Sequence, residues 1–565
     1  MLLKQKTIIA CIFLVIFFIL PQNAKADALG GIKDFFIDTT YDEQGREKVS
    51  ALLHRLTEDA YFYVEQDWYN NLTEGQKTKV ATNLAMLTGE FSDVIYPQLT
   101  QKYGSEWNPG IDSDKHITIL FHKMHNTAAG YFKSSDELSP LQNNTSNERE
   151  MVYLNSTYLL DDIIKSYLAH EFTHLITYNQ KNKLNRKEEH IWLNESRAEY
   201  APTLLGYDND YPNSNLQKRI DLFLSYPSNS LTVWDGGKSD YGTITAFTNY
   251  FVGHYGEEIL SSALQNSKTG VESIEQALSD AYIEKDFWQI FSDWVIANFI
   301  NDCRKNNKHC YNNGNLDAIK INPSLIFLPP NQKTNFSLTN NTKFYSANWY
   351  RIIGGADNLE VIFSGDKEAD FKVPYALCRE SYDCAIDFLE FNQENEATLI
   401  FDDFIDNYTS LTLMPFVISE IQKSNENILF DFTIKVSAYS NAPSITKQEL
   451  INSLRIQIAD IVEQIAVLQQ QLAAISREEG SCASLTQNMY LGVRGFQVEC
   501  LQKFLKEQGT EIYKEAYVTG YFGPLTQLAV IKFQNKYASE ILHPLGITKA
   551  TGYVGAATRS QINQF

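Results

Sequence analysis

Five consecutive residues, His170-Glu171-Phe172-Thr173-His174, carry the most specific chemical pattern in the chain. At 3.6 residues per turn, positions i and i+4 of a helix share one face, so both imidazoles can reach one cation while Glu171 projects beside them. The flanking run from Asp161 to Tyr178 is amphipathic and helix-forming, as that geometry requires. Imidazole nitrogen suits zinc, which in catalytic sites takes three protein ligands and leaves one position for water or substrate. A carboxylate beside such an ion is placed to accept a proton from that water. The competing use of the same residues is an ordinary hydrogen-bonded network of buried histidines and carboxylates.

A third ligand must come from elsewhere. In Ile191-Trp-Leu-Asn-Glu195-Ser-Arg-Ala-Glu199-Tyr200 the two glutamates again stand one helical turn apart. H-E-x-x-H followed about twenty residues later by W-L-N-E-x-x-A-E resembles the gluzincin metallopeptidases, in their thermolysin and hyicolysin branches. The resemblance spans about residues 45–300, with the two motif helices its specific part. It implies one catalytic zinc ion held by His170, His174 and Glu195, with Glu171 as general base. It also implies that Glu199 accepts a hydrogen bond from His170, and that a Tyr or His on a later helix steadies the oxyanion. Tyr241, in Lys238-Ser-Asp-Tyr241-Gly242, is the candidate, with Tyr250 and His254 on the same stretch and a plain packing role as alternatives. Ser196 stands where the family commonly has Gly. Gly130-Tyr-Phe132 and Asn147–Met151 resemble the strand region that receives substrate backbone in hyicolysin-like enzymes.

The elements that must position these groups read as an α+β domain over residues 27–322. Helical periods run over Val49–Tyr69, Gln76–Tyr103, Leu159–Asn179 and Ile244–Tyr255, and strands over His116–His122 and Glu150–Asn155. Residues 323–443 change to short β-rich runs such as Leu359–Ser364, Ala397–Phe401 and Phe430–Val436, which predict a β-sandwich. From 444 to 480, Ile451, Leu454, Ile458, Ile461, Ile465, Leu468, Leu472 and Ile475 form a heptad seam. That seam fits either a coiled coil joining two copies or a stalk helix folded back on a neighbour. The last segment, 481–565, holds Tyr490–Gly495, Leu501–Leu505, Val518–Thr526, Phe533-Gln534 and Thr551–Arg559. It resembles the three-helix peptidoglycan-binding domain of cell-wall hydrolases. Tyr521, Phe522 and Arg559 are its candidate groove residues, and binding of some other polymer or partner is the alternative.

Residues 1–26 read as an export signal: Lys4 and Lys6, an apolar run Ile8–Leu20, Pro21, then Ala24-Lys25-Ala26 ahead of the cut. The run is too short to cross a bilayer comfortably, so the expected protein is secreted, wall-associated and without a membrane span, its first residue Asp27. The stretch from Asp27 to about Gly45 is the one in which a pro-segment could lie. The chain's formal charge of −21 becomes −24 once the leader, which holds Lys4, Lys6 and Lys25 and no acid, is gone. That sign argues against nucleic acid as partner. The six cysteines beyond the leader fall into local pairs, Cys303 with Cys310, Cys378 with Cys384 and Cys482 with Cys500, which read as three disulfides. The Asp208–Asn215 run has oxygen ligands for Ca2+ but lacks the Gly and closing Glu of an EF-hand, so it reads as a solvated loop. His54, His122 and His309 read as satisfied or surface histidines.

Together these readings predict a secreted zinc endopeptidase tethered to the cell wall, acting on proteins or on peptidoglycan crosslinks. The rival from another class is a non-catalytic surface protein with a structural metal.

Overall fold

Val49, Ala51 and Leu53 are buried while Lys48 and Ser50 are exposed, a period of two that makes a strand. This strand, β2 (Lys48–Leu56), pairs antiparallel with β1 (Ile32–Phe36) and β3 (Ala60–Glu65). The helix expected over 49–69 is therefore a hairpin followed by a short helix, Gln66–Asn70. Its turn is made by Thr57, whose Oγ1 accepts from the amides of Asp59 and Ala60 at 3.2 and 3.0 Å. The computed structural model describes residues 26–380, 383–418 and 428–440, positions 455, 459 and 464, and 482–565 apart from 483, 486, 492, 494, 515 and 516. Nearly all of the expected leader and the whole heptad seam lie outside the described residues.

The described residues form two compact units, one of those up to 188 with 264–267, the other of 189–263 with those from 268 on. In the first, β4 (Ile117–His122), β5 (Gly130–Phe132) and β6 (Met151–Asn155) complete a six-stranded sheet in the order β1-β2-β3-β4-β6-β5. Strands β3, β4 and β6 run parallel and β5 returns antiparallel along the edge. β3, β4 and β6 are buried at every position, as the continuous apolar runs of a covered parallel sheet should be. The helices of this unit include α1 (Glu74–Glu90), opened by a Thr73/Gln76 capping box, α2 (Tyr96–Tyr103) and α3 (Ile164–Thr177).

The second unit begins with helices: α4 (Ile191–Leu204), α5 (Asn215–Ser225), α6 (Lys238–Tyr255) and α7 (Phe287–Ile300). Beyond them lie two sheets. One comprises β7 (Ser324–Leu328), β9 (Tyr350–Gly354), β12 (Pro374–Glu380), β13 (Asp383–Phe388) and β15 (Ser410–Leu413). The other comprises β8 (Thr334–Thr342), β10 (Asn358–Gly365), β14 (Glu396–Phe401) and β17 (Phe430–Tyr439), and a short pair β11 (Asp370–Lys372) and β16 (Phe416–Ile418) stands beside them. Leu328, Ile352 and Leu411 from the first sheet share one core with Val361, Phe363 and Phe432 from the second, which makes a sandwich. The chain is thus multidomain and α/β, with several sheets.

All three cysteine pairs are joined. The S–S distances are 2.04 Å for Cys303–Cys310, 2.06 Å for Cys378–Cys384 and 2.02 Å for Cys482–Cys500. The C-terminal segment packs α8 (Phe496–Glu507), α9 (Pro524–Lys536) and α10 (Ala556–Ile562) around Leu501, Leu505, Val530, Phe533 and Ile562. Phe522 is 0 % exposed in that core and so cannot line a groove, whereas Tyr521 and Arg559 are half-buried. Among the described residues no helix is long and apolar enough to cross a membrane.

Candidate metal centre

Helix α3 buries Leu168, Ala169, Phe172, Leu175 and Ile176, the stripe that a helical period predicts. Phe172 stacks on Tyr96 at 5.6 Å and meets Phe91 edge-on at 5.3 Å, which fixes the rotation of the helix about its axis. The adjoining face carries His170 and His174, whose Nε2 atoms stand 3.1 Å apart. Glu171 is 6 % exposed and lies against edge strand β5. A Cβ placed on Gly130 would sit 2.8 Å from both Cγ and Oε1 of Glu171 and 2.7 Å from the carbonyl oxygen of Tyr153. Only glycine therefore allows the strand to run this close to the carboxylate.

Helix α4 is held by a different device. Arg197 is 0 % exposed and pairs with Glu189 at 2.8 Å, and Glu189 also accepts from the Gly270 amide at 2.8 Å. Glu199, two residues further along α4 and 2 % exposed, accepts from Arg219 Nε at 2.8 Å and Nη2 at 2.7 Å, and from Asn215 Nδ2 at 3.0 Å. A buried carboxylate clamped by a guanidinium fork in this way is strongly oriented. The Arg219 guanidinium also lies 4.6 Å from the ring centre of Tyr241, which meets Trp234 edge-on at 5.1 Å. Helices α5 and α6 approach closely enough for this because position 242 is glycine: a Cβ there would fall 2.6 Å from the Phe223 nitrogen.

The three residues expected to bind metal come together. His170, His174 and Glu195 each offer a ligand atom, and these atoms all lie within 4.8 Å of one another, the sole such group among the described residues. Two nitrogens bound tetrahedrally at about 2.0–2.1 Å from zinc would stand roughly 3.3 Å apart, close to the spacing of the two imidazoles. A two-nitrogen, one-oxygen set is also a donor combination that zinc accepts. The residues therefore fit the ion.

Other expectations resolve differently. Tyr241 lies inside the first turn of α6 rather than ahead of the helix. Tyr250 donates to the Lys308 carbonyl at 2.7 Å, and His254 Nε2 lies 2.8 Å from the Cys310 carbonyl, so both alternatives are tied to the disulfide loop. Burial pushes the Tyr250 phenol well above its ordinary value and the His254 imidazole down. The Asp208–Asn215 loop is exposed at Asn209, Asp210, Pro212 and Asn213, but Asp208 itself, at 3 % exposure, accepts from the Leu216 amide at 3.1 Å and from Thr203 Oγ1 at 2.7 Å, and burial pushes its carboxyl up. Its carboxylate thereby caps the start of α5. His122 is buried, with Nε2 3.3 Å from Tyr131 Oη and Nδ1 3.6 Å from Asp42 Oδ1, while His309 faces Asp293 at 3.7 Å and His54 packs on Tyr69. Arg219 escapes the sequence reading, and the contacts of Gly130 with Glu171 and of Asn215 with Glu199 are not part of it. Gly130 reads only as part of a substrate-receiving strand and Asn215 only as the end of the Asp208–Asn215 loop, because contacts across a sheet edge or between helices leave no local pattern in the sequence.

No protein-family model matches the chain. It is 26% identical over 220 residues, 34% of its own length, to the neutral metalloprotease ShpI of Staphylococcus hyicus. The chain spans about half the length of that relative, 47%. Among solved structures, IMPa metallopeptidase from Pseudomonas aeruginosa shares 6% identity over 76% of this chain and 53% of its own, with a TM-score of 0.12. A 4-O-methyl-alpha-glucuronidase with specificity for decorated arabinogalactans shares 9% identity over 57% of this chain and 51% of its own, also at 0.12. Scores that low carry no likeness of fold. Over part of its length, then, the chain is similar to a metalloprotease.

Proposed function

We propose that the protein is a secreted zinc endopeptidase of the gluzincin type, held at the cell wall by residues 481–565. The observation that carries the enzymatic half is the convergence of His170, His174 and Glu195 within 4.8 Å, with Glu171 on the same helix turn. These three side chains would hold the ion. When bound, zinc supplies Lewis acidity toward a peptide carbonyl and toward water at neutral pH. Glu171 takes the proton of the attacking water on a carboxylate oxygen and passes it to the leaving amine as the C–N bond breaks. Gly130 holds that carboxylate in place from the edge of the sheet, and β5 offers its free side to an extended substrate backbone. Glu199, clamped by Arg219 and Asn215, orients His170, and Tyr241 supplies a hydroxyl toward the developing oxyanion. The partial similarity to a neutral metalloprotease supports the peptidase reading.

Glu171→Gln is the decisive variant. The purified protein should contain about one zinc per chain and cleave a broad peptide library, and the variant should keep the zinc and lose cleavage by about 10²–10⁴-fold. Undiminished cleavage in the variant, or a protein that takes up no zinc, would overturn the reading. Digests of whole peptidoglycan sacculi run beside digests of unfolded protein assign the substrate class.

A further inference from the structure

The expected first residue after export, Asp27, is not a loose end. Chain termini are usually poorly held unless something ties them down. Here the Asp27 carboxylate meets Arg149 Nη1 at 2.7 Å, Lys33 Nζ at 3.1 Å and the hydroxyl of Tyr63 at 2.8 Å. Its backbone nitrogen donates to Tyr61 Oη at 3.1 Å, and that hydroxyl in turn donates to Asp114 Oδ2 at 2.6 Å. Ala26, by contrast, is exposed. The backbone behind is pinned as well: Gly30 donates to Leu53 at 2.9 Å and Leu53 to Gly31 at 2.9 Å, extending the β1–β2 ladder toward Asp27. The site is bipolar, with cations facing the side chain and a phenol backed by a carboxylate facing the nitrogen. An amide N–H needs one acceptor, whereas an α-ammonium brings a full charge and three donors to the same place.

We propose that this site is a seat for the processed terminus, which receives the free α-ammonium of Asp27 on Tyr61 and Asp114 and its carboxylate on Arg149, Lys33 and Tyr63. The ammonium is produced when a signal-processing peptidase, reading the small residues Ala24 and Ala26, adds water across the Ala26–Asp27 bond. The C–N bond breaks, Ala26 keeps the new carboxylate, and the Asp27 nitrogen gains the protons. The folded state then acquires a charge-assisted contact that the precursor lacks, so export processing and the stability of the first unit are coupled. The inference rests on the signal reading and is independent of the proposed zinc chemistry.

Mass spectrometry of the exported protein should find Asp27 first, and any other terminus overturns the proposal. Protein beginning at a free Asp27 should melt roughly 2–4 °C above the same chain carrying Gly-Ser ahead of it, the shift that about 1 kcal/mol produces in a unit of this size. Asp114→Asn should close that gap, whereas a purely structural role would lower both melting points equally and leave it open. Equal melting of the two native-sequence proteins overturns the proposal. Should Asp114→Asn fail to fold, labelling of the native α-amine by an acylating reagent decides: about tenfold protection in the folded state relative to urea is expected, and equal rates overturn it.

Discussion

Gly130 shows how much one absent side chain can carry. Its hydrogen faces the Cγ and Oε1 of Glu171 and the Tyr153 carbonyl oxygen, and of these only the two Glu171 atoms belong to a side chain able to move. Gly130→Ala must therefore push Glu171 away from its position. The expected outcome is a loss of about 10²-fold in kcat with zinc content unchanged, measured by turnover beside metal analysis. Glu150 is a second single-residue case. It is 3 % exposed, accepts from the Ile111 amide at 3.0 Å, and burial pushes its carboxyl up to about 8. Because the folded value lies above the unfolded one of about 4.3, the folded state binds the extra proton. Stability is lost as pH rises between the two values and levels off above the higher. Glu150→Gln should thus match the parent near pH 4 and exceed it by on the order of 1–3 kcal/mol at pH 8.5, read from denaturant unfolding at each pH.

Elements decide matters that no residue type announces. In the C-terminal segment, Gln502 accepts from the amides of Thr519 and Gly520 at 2.7 and 2.9 Å and donates to the Tyr521 carbonyl and Thr526 Oγ1, both at 2.9 Å. Gln534 does the same with Thr551 and Gly552 at 3.1 and 3.0 Å, the Tyr553 carbonyl at 2.8 Å and Thr558 Oγ1 at 3.0 Å. The two sets share every sequence offset, so the segment is built from one helix-turn unit used twice. Each glutamine is about 2 % exposed or less and satisfies turn groups that would otherwise be buried unpaired. Gln534→Ala and Gln502→Ala should each cost about 1–3 kcal/mol, and thermal melting that leaves either variant unchanged would contradict that role. The same scale explains the misread hairpin at 48–65: an apolar period near three to four and a period of two overlap in Val49, Leu52, Leu53 and Leu56, and only the Thr57 turn separates them.

At the scale of the whole molecule, charge and attachment are the matters to test. The proposed wall attachment of a chain at −21, or −24 without its leader, would work against long-range repulsion from an often anionic wall and would have to be local. Screening within about 8–10 Å permits it. The full-length protein should sediment with insoluble sacculi while a chain ending at residue 440 stays in the supernatant. Equal sedimentation would move the attachment away from 481–565.

Much of the candidate site was legible in the sequence, because an i, i+4 pair on a helix is a local property that needs only the period of the helix. The same holds for the W-L-N-E-x-x-A-E helix, the three disulfides between near neighbours in sequence, and the β-rich change of character after residue 323. What lay beyond the sequence depends on partners far apart in the chain. Arg219 reaches Glu199 across 20 residues, Gly130 meets Glu171 across a sheet edge, and Asp27 meets Arg149 from the opposite end of its unit. Such contacts are set by strand order and helix packing, which join residues by distance in space. A sequence records which side chains are available and the local period that presents them, and only the tertiary structure decides which of them meet.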